Sequence, residues 1–80
     1  ITIPEDLDYT NVFNDVFEKY LISFELIKSK TTNMGSMFKL TYKVTLKNIQ
    51  QEKQLIDDLR IKNGNLEVML TRADSETNEL

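Results

Sequence analysis

Alternation of apolar and polar residues is clearest in the middle of the chain, between positions 37 and 47. After Met37, one parity of this run is polar or basic and the other is apolar, which is typical of a β-strand with one buried face. The apolar parity consists of Phe38, Leu40, Tyr42, Val44 and Leu46. The turn-forming string NMGS at 33–36 separates this strand from another extended run. The pattern predicts a β-hairpin across residues 28–47.

The strand before the turn has a less regular pattern. Ile22, Phe24 and Leu26 share one parity, whereas Ile27 has the other. We predict a β-bulge near Ile27, because one extra residue would let both sets reach the core. Without a bulge, Ile27 would lie on the opposite face of the sheet.

Helical spacing predicts a helix before this hairpin. Asp8 is a suitable N-cap, and the apolar residues that follow it recur at i, i+3, i+4 and i+7 over three turns. We expect these residues to form core rather than a partner-binding groove. They are Tyr9, Val12, Phe13, Val16, Phe17, Tyr20 and Leu21.

A second helix is predicted after the hairpin. Asn48 and Gln51 resemble a capping box, and a thinner apolar stripe follows at positions 55, 56 and 59. Asn63 and Gly64 are typical helix-ending residues. The second helix is therefore expected to end at this pair.

The two ends of the chain also carry alternating patterns. Ile-Thr-Ile at positions 1–3 predicts a first strand that Pro4 closes, and Leu66, Val68 and Leu70 predict a short last strand. Because the chain lacks an initiator methionine, we expect an excised domain whose first strand is cut short. Residues 72–80 are polar and are predicted to form a disordered C-terminal tail.

The element order is strand, helix, strand, strand, helix, strand. This order predicts an α+β domain over residues 1–71 with the ferredoxin-like βαββαβ fold, a four-stranded antiparallel sheet with two helices on one face. The other face of the sheet is expected to be open.

The composition of the chain excludes or disfavours several kinds of functional site. The 80 residues include no cysteine and no histidine, which removes disulfides, the usual zinc sites and the commonest general base. No catalytic constellation is visible, so we expect no enzyme, no metal and no cofactor. A net charge of -3 argues against a nucleic-acid partner. No apolar run is long enough to cross a membrane, so this fragment is not expected to span one.

The predicted topology brings three loops to one end of the sheet, at residues 4–8, 33–36 and 63–65. Carboxylates, amides and two glycines in these loops could bind a small polar ligand or a hard cation. The alternative is that the same residues only form turns and a helix cap. The candidate ligand-binding residues are Glu5, Asp6, Asp8, Asn33, Gly35, Ser36, Asn63, Gly64 and Asn65.

The open face of the sheet is a second candidate surface. Lys39, Lys43 and Lys47 share the polar parity of the central strand and could bind an anion or an acidic partner. The alternative is a solvated face whose lysines pair with Glu25 and Glu67 across the sheet. An RNA-recognition surface is disfavoured, because it would need stacking aromatics on this face and the strand's aromatics have the other parity.

The strings IPEDLDY, FEKY, KTTNMGSMFKLTYKVTLK and RIKNGNLEV resemble the C-terminal cytoplasmic domain of a bacterial membrane-protein family of unknown function. Members of that family carry several transmembrane helices ahead of the domain and are often encoded beside polyphosphate-polymerase-like proteins. The resemblance implies a ferredoxin-like fold, similar to ACT domains and to the cytoplasmic domain of MgtC-type membrane proteins. The string PEDLD lacks the glycine that usually opens the ligand loop of ACT domains, which disfavours amino-acid sensing.

Two functional hypotheses follow. The leading one is a non-enzymatic regulatory or assembly domain on the cytoplasmic side of the cell membrane, which associates with itself or with the membrane portion of its own chain. The alternative is a sensor that uses the clustered loops to bind a polar metabolite, a cation or a phosphate chain.

Overall fold

The computed structural model of the protein describes residues 1–32 and 35–72. Within them lie three strands, β1 (Thr2–Pro4), β2 (Leu21–Thr31) and β3 (Met37–Leu46). Two helices, α1 (Asn14–Tyr20) and α2 (Glu52–Lys62), complete the regular structure, and a short 3-10 turn at Ile49–Gln51 leads into α2. Asn33, in the candidate ligand site, and most of the predicted tail, residues 73–80, fall outside the described residues.

The sheet has three strands in the order β1-β3-β2, and all neighbours are antiparallel. The predicted four-stranded ferredoxin-like sheet is therefore wrong, although the α+β class is right. The segment 66–70 makes no strand ladder, and its backbone link to β1 is the bond from the Thr2 N–H to the Glu67 carbonyl, at 3.0 Å. Because β1 has only three residues, it offers few backbone groups with which the segment 66–70 could pair. The alternation at 66–70 therefore reflects the alternating burial of these side chains and does not indicate that the segment pairs as a strand.

The predicted hairpin is confirmed. β2 pairs with β3 along most of its length, and the faces of β3 divide as the alternation indicates. Leu40 is buried and Tyr42 is half-buried against the core, whereas Lys39 and Lys43 are exposed on the other face.

The bulge near Ile27 is also confirmed, and a second irregularity lies at Ile22. The expected consequence is wrong, however, because Ile27 is 57% exposed and Leu26 is 41% exposed. Helix α1 has seven residues and spans about 10 Å, whereas β2 has eleven residues and spans about 36 Å. The helix is too short to cover the strand.

Helix α1 begins at Asn14, so the prediction that Asp8 caps it is wrong. The Asp8 carboxylate instead accepts a hydrogen bond from the Thr10 N–H at 3.0 Å, which closes a turn. Thr10, Asn11 and Val12 have modest helix propensity, so nothing local favours an earlier start. The apolar face is nevertheless core, since Phe13 is buried just before the helix.

Helix α2 follows the sequence prediction closely. The Asn48 side chain accepts a hydrogen bond from the Gln50 N–H at 3.0 Å, and α2 ends at Lys62. Gly64 and Asn65 then adopt positive φ values of 77° and 67°, and the Asn65 N–H bonds to the Arg60 carbonyl. These bonds satisfy backbone groups that the end of a helix leaves without partners.

The core joins both helices to one face of the sheet. Two further rings pack against the buried Phe17, whose centroid lies 4.8 Å from that of the partly exposed Phe24 and 4.9 Å from that of Tyr42. The buried apolar residues are Ile3, Phe13, Val16, Phe17, Tyr20, Leu21, Leu40, Leu55 and Leu59.

We expect Gly64→Ala to lower the free energy of unfolding by about 1 kcal/mol, because a side chain disfavours the positive φ at this position. No heavy atom lies within 4 Å of the added Cβ, so a steric clash contributes nothing. Urea unfolding would measure the change. Gly64→Asn is the control, since asparagine tolerates this backbone region and should cost less. An alanine variant as stable as the parent would contradict the conformational explanation.

Candidate functional site

The structure brings two of the three predicted loops together. The Glu5 N–H donates to the Ser36 carbonyl at 3.2 Å, and the side chains of Glu5, Asp6 and Asp8 are exposed beside this contact. Gly35 adopts a positive φ of 69° and its N–H bonds to the Thr32 carbonyl. Turn geometry therefore accounts for Gly35, as one of the two sequence interpretations expects.

The carboxylates near this contact have local roles. The backbone N–H of Thr10 donates to Asp8 and holds the pKa of that carboxyl below its usual value. Within residues 1–32 and 35–72, no three acidic side chains come close enough to hold a metal ion together. The ligand-sensor hypothesis stays a prediction.

Asn63 has a role that the sequence analysis missed. Its side chain is fully buried, and its Nδ2 donates to the Thr2 carbonyl at 2.7 Å and to the Leu66 carbonyl at 3.3 Å. Its Oδ1 accepts no hydrogen bond from the described part of the chain. Asn63 therefore ties the end of α2 to β1 and does not face the loops as a ligand-binding residue. Gly64 and Asn65, by contrast, are exposed.

The three candidate lysines do not form one cluster of free charges. The Lys47 Nζ donates to the Glu18 carbonyl at 2.8 Å, which joins the end of β3 to α1. Lys39 and Lys43 are exposed, and Lys43 lies opposite Glu25 in the register of the hairpin. Neither lysine makes an ion pair with any residue that the structure describes. These two side chains remain available to an acidic partner.

Tyr20 and Asp58 connect the two helices. The Tyr20 hydroxyl donates to the Asp58 carboxylate at 2.7 Å, and the Lys19 Nζ lies 3.8 Å from the same carboxylate. The hydrogen bond to Asp58 raises the pKa of the Tyr20 hydroxyl, because the bond favours the neutral phenol. This contact links α1 to α2.

A patch on the outer edge of the sheet was also missed. β2 is an edge strand among the described residues, and four apolar side chains in its first part are at least 39% exposed. We call these four residues the edge patch. They are Ile22, Phe24, Leu26 and Ile27. The irregular parity at Ile27 was the sequence signal for it, but we interpreted that parity as a way to reach the core.

A groove of about 840 Å³ is lined by residues 39–46 of β3, by the segment 67–72 and by Ile27 of β2. We call it the strand groove. Its wall toward α2 is apolar and includes Val44, Ile56 and Leu70, while Thr41 and Lys43 line it on the open face of the sheet.

No helix among the described residues has the length and apolar character needed to cross a bilayer. Comparisons with protein-family models, with curated proteins and with solved structures found no match. The resemblance to the cytoplasmic domain of a bacterial membrane protein therefore stays a prediction.

Proposed function

We propose that this chain is a non-enzymatic assembly domain that associates with a second copy of itself through the outer edge of β2. In this proposal the domain belongs to the cytoplasmic part of a bacterial integral membrane protein, as the sequence resemblance implies. The edge patch is the observation that carries the self-association, because a run of exposed apolar side chains on an edge strand is typical of an interaction surface.

The two halves of β2 differ in their charged residues. Residues 22–27 carry a single charge, Glu25, whereas the second half contains Lys28 and Lys30. Lysines on an edge strand discourage pairing with another strand. The first half lacks this protection, and its exposed Ile22 and Phe24 offer apolar area to a partner.

The backbone of β2 supports the same interpretation. The Lys47 N–H bonds to the Tyr20 carbonyl, so the odd-numbered residues near the end of β3 direct their backbone groups toward β2. Glu25 is paired with the odd-numbered Lys43, so its backbone groups point toward β3. In an antiparallel ladder, the neighbours Phe24 and Leu26 then direct their backbone groups outward. A second strand could bond to them.

Sedimentation equilibrium tests the proposal with Ile22→Lys. We expect the parent domain to dimerise with increasing concentration and the variant to associate at least about tenfold more weakly, because a lysine in the edge patch adds charge to an apolar contact. Ile61→Lys is the matched control, since Ile61 is 79% exposed and lies on α2, outside the sheet.

Three results are informative. Loss of association in Ile22→Lys with normal association in Ile61→Lys would support the edge of β2 as the interface. A parent domain that is monomeric at millimolar concentration would overturn self-association. Equal dimerisation of the parent and Ile22→Lys would place the interface elsewhere.

A further inference from the structure

We propose that Asn63 is a conditional deamidation site, which the folded domain protects and which opening of β1 exposes. Asn63 is the one asparagine of the sequence that is followed by a glycine, Gly64. A glycine has no side chain to hinder the attack of its backbone nitrogen on the preceding amide. The inference concerns β1 and not the outer edge of β2, so it does not depend on self-association.

The reaction needs only the chain itself and water. The backbone nitrogen of Gly64 loses its proton and bonds to the Cγ of Asn63, while the Cγ–Nδ2 bond breaks and the nitrogen leaves with a proton as ammonia. Water then opens the five-membered succinimide ring at one of its two carbonyl carbons. Opening at Cγ gives an aspartate with the ordinary backbone, and opening at the backbone carbon gives an isoaspartate, whose backbone runs through Cγ.

Burial and hydrogen bonding protect the Asn63 side chain in the folded domain. The side chain has no exposed surface. Its Nδ2, which must leave as ammonia, donates to the Thr2 carbonyl at 2.7 Å and to the Leu66 carbonyl at 3.3 Å. Its Oδ1 accepts no hydrogen bond from the described part of the chain, so no donor there stabilises the negative charge that develops on this oxygen during attack.

The backbone conformation of Asn63 also opposes ring closure. Its ψ of 15° places the Gly64 nitrogen almost eclipsed with the backbone nitrogen of Asn63. The Cβ occupies a different position on the tetrahedral Cα, so the side chain is turned away from the nitrogen that would attack it. The Asn63 N–H bonds to the Leu59 carbonyl at 3.0 Å, which helps to hold this conformation at the end of α2.

β1 is the element whose opening removes this protection. It pairs with β3 over three residues, whereas β2 pairs with β3 along most of its length. Elements held by few ladder bonds open locally at a lower free-energy cost than the whole domain unfolds. Opening takes the Thr2 carbonyl away and uncovers Asn63, while Gly64 is exposed already. Both reactants are then free to reach the geometry of the ring.

Modification makes the opening permanent. The carboxylate that replaces the amide has no N–H, so it cannot donate to the Thr2 and Leu66 carbonyls, and its negative charge would face both of these oxygens. Isoaspartate would in addition insert a carbon into the backbone at the end of α2. β1 would therefore fail to return, and Ile3, which is fully buried in the folded domain, would stay uncovered.

The test compares deamidation of the domain with that of a blocked peptide of residues 61–67, both at neutral pH. Mass spectrometry of a proteolytic fragment gives the rate at Asn63, and isoaspartate identifies the succinimide route, since direct hydrolysis of the side chain yields aspartate alone. We expect the domain to react at least about tenfold more slowly than the peptide, because only its open fraction reacts. Low urea should change this rate little, because opening of β1 exposes much less surface than global unfolding.

Two variants separate opening of β1 from global unfolding. Ile3→Val trims a fully buried side chain of β1 and should raise the rate at Asn63 between about twofold and tenfold. Phe17→Leu trims a buried side chain of α1 instead, and should leave the rate close to that of the parent. Urea unfolding of both variants establishes that they are folded under the conditions of the test.

Each outcome decides the proposal. Protection in the parent that is weakened by Ile3→Val and not by Phe17→Leu, with a rate that is flat at low urea, supports it. Equal rates in the domain and the peptide would overturn it, because the fold would then give no protection. Equal acceleration by the two variants, or a rate that follows global unfolding in urea, would overturn the role of β1. An Ile3→Val domain that stays unmodified over many half-lives of the peptide, or that loses its amide without forming isoaspartate, would also overturn it.

Discussion

Asn63→Asp is expected to lower the free energy of unfolding by about 3–5 kcal/mol at neutral pH, because it places a carboxylate where a fully buried amide now donates two hydrogen bonds. The oxygens of a carboxylate cannot donate to the Thr2 and Leu66 carbonyls. For a domain of this size such a loss is a large share of the whole stability, typically about 5–15 kcal/mol. Thermal and urea unfolding at pH 7 would measure it.

The pH dependence of this variant has a definite sign. Burial beside two carbonyl oxygens would raise the pKa of the new carboxyl in the folded state above its unfolded value of about 4. The folded state then binds the proton more tightly, so stability is lost as pH rises from about 4 toward the folded pKa and returns as pH falls. The deficit relative to the parent should shrink by up to about 1.4 kcal/mol per pH unit in that window.

Asn65→Asp is the matched control for the same substitution. Asn65 is exposed and has a positive φ that aspartate also tolerates, so we expect a change of a few tenths of a kcal/mol at most. If Asn63→Asp were as stable as Asn65→Asp at pH 7, the buried tie to β1 would be disproved.

Phe17→Ala is expected to have a comparable effect, a loss of about 3–5 kcal/mol, because it removes a buried ring from the centre of the core. The ring of Phe17 lies within 6 Å of three others, those of Phe13, Phe24 and Tyr42. Its removal would leave a cavity between α1 and the sheet that the short helix cannot close. Urea unfolding at low protein concentration would measure the change without a contribution from association.

Ile61→Ala provides the comparison for Phe17. Ile61 is an apolar side chain on the exposed side of α2, and its truncation should change stability by less than about 0.5 kcal/mol. A Phe17→Ala domain that lost less than about 1 kcal/mol would show that the aromatic cluster is not the centre of the core.

Local patterns in the sequence were sufficient for the hairpin and for α2. The alternation at positions 37–47 gave the faces of β3, and the parity of Ile27 gave the position of the bulge. Asn48 and the pair Asn63–Gly64 marked the ends of α2 to within a few residues. Each of these features depends on interactions between residues close in the chain, which periodicity and turn chemistry report directly.

Features that depend on distant contacts could not be obtained in this way. The alternation of Leu66 and Val68 correctly indicated one buried side, but whether that segment pairs with β1 depends on the length and position of β1. Asp8 can close a turn or cap a helix, and propensity alone does not separate the two. The exposure of the edge patch follows from the shortness of α1, which its apolar pattern overstated.

In the candidate site, too, some features could be predicted from the sequence and others could not. The contact between Glu5 and Ser36 follows from topology, and the sequence analysis expected it. Asn63 was predicted as a ligand-binding residue because the topology was expected to bring its loop beside the loops at 4–8 and 33–36. Its burial results from a partner 61 residues away in the chain, Thr2, which no local pattern identifies.

The tie between Thr2 and Asn63 also bears on the order in which the domain assembles. The hairpin connects strands that are neighbours in sequence, whereas β1 gains its contacts with Asn63 and Glu67 only when nearly the whole chain has closed into a loop. Loop closure of this length costs entropy before any contact compensates for it, so we expect these contacts to form after the hairpin. During synthesis the hairpin is complete well before Asn63 has been added. Docking of β1 against its late partners is therefore expected to be the slow step in reaching the native state.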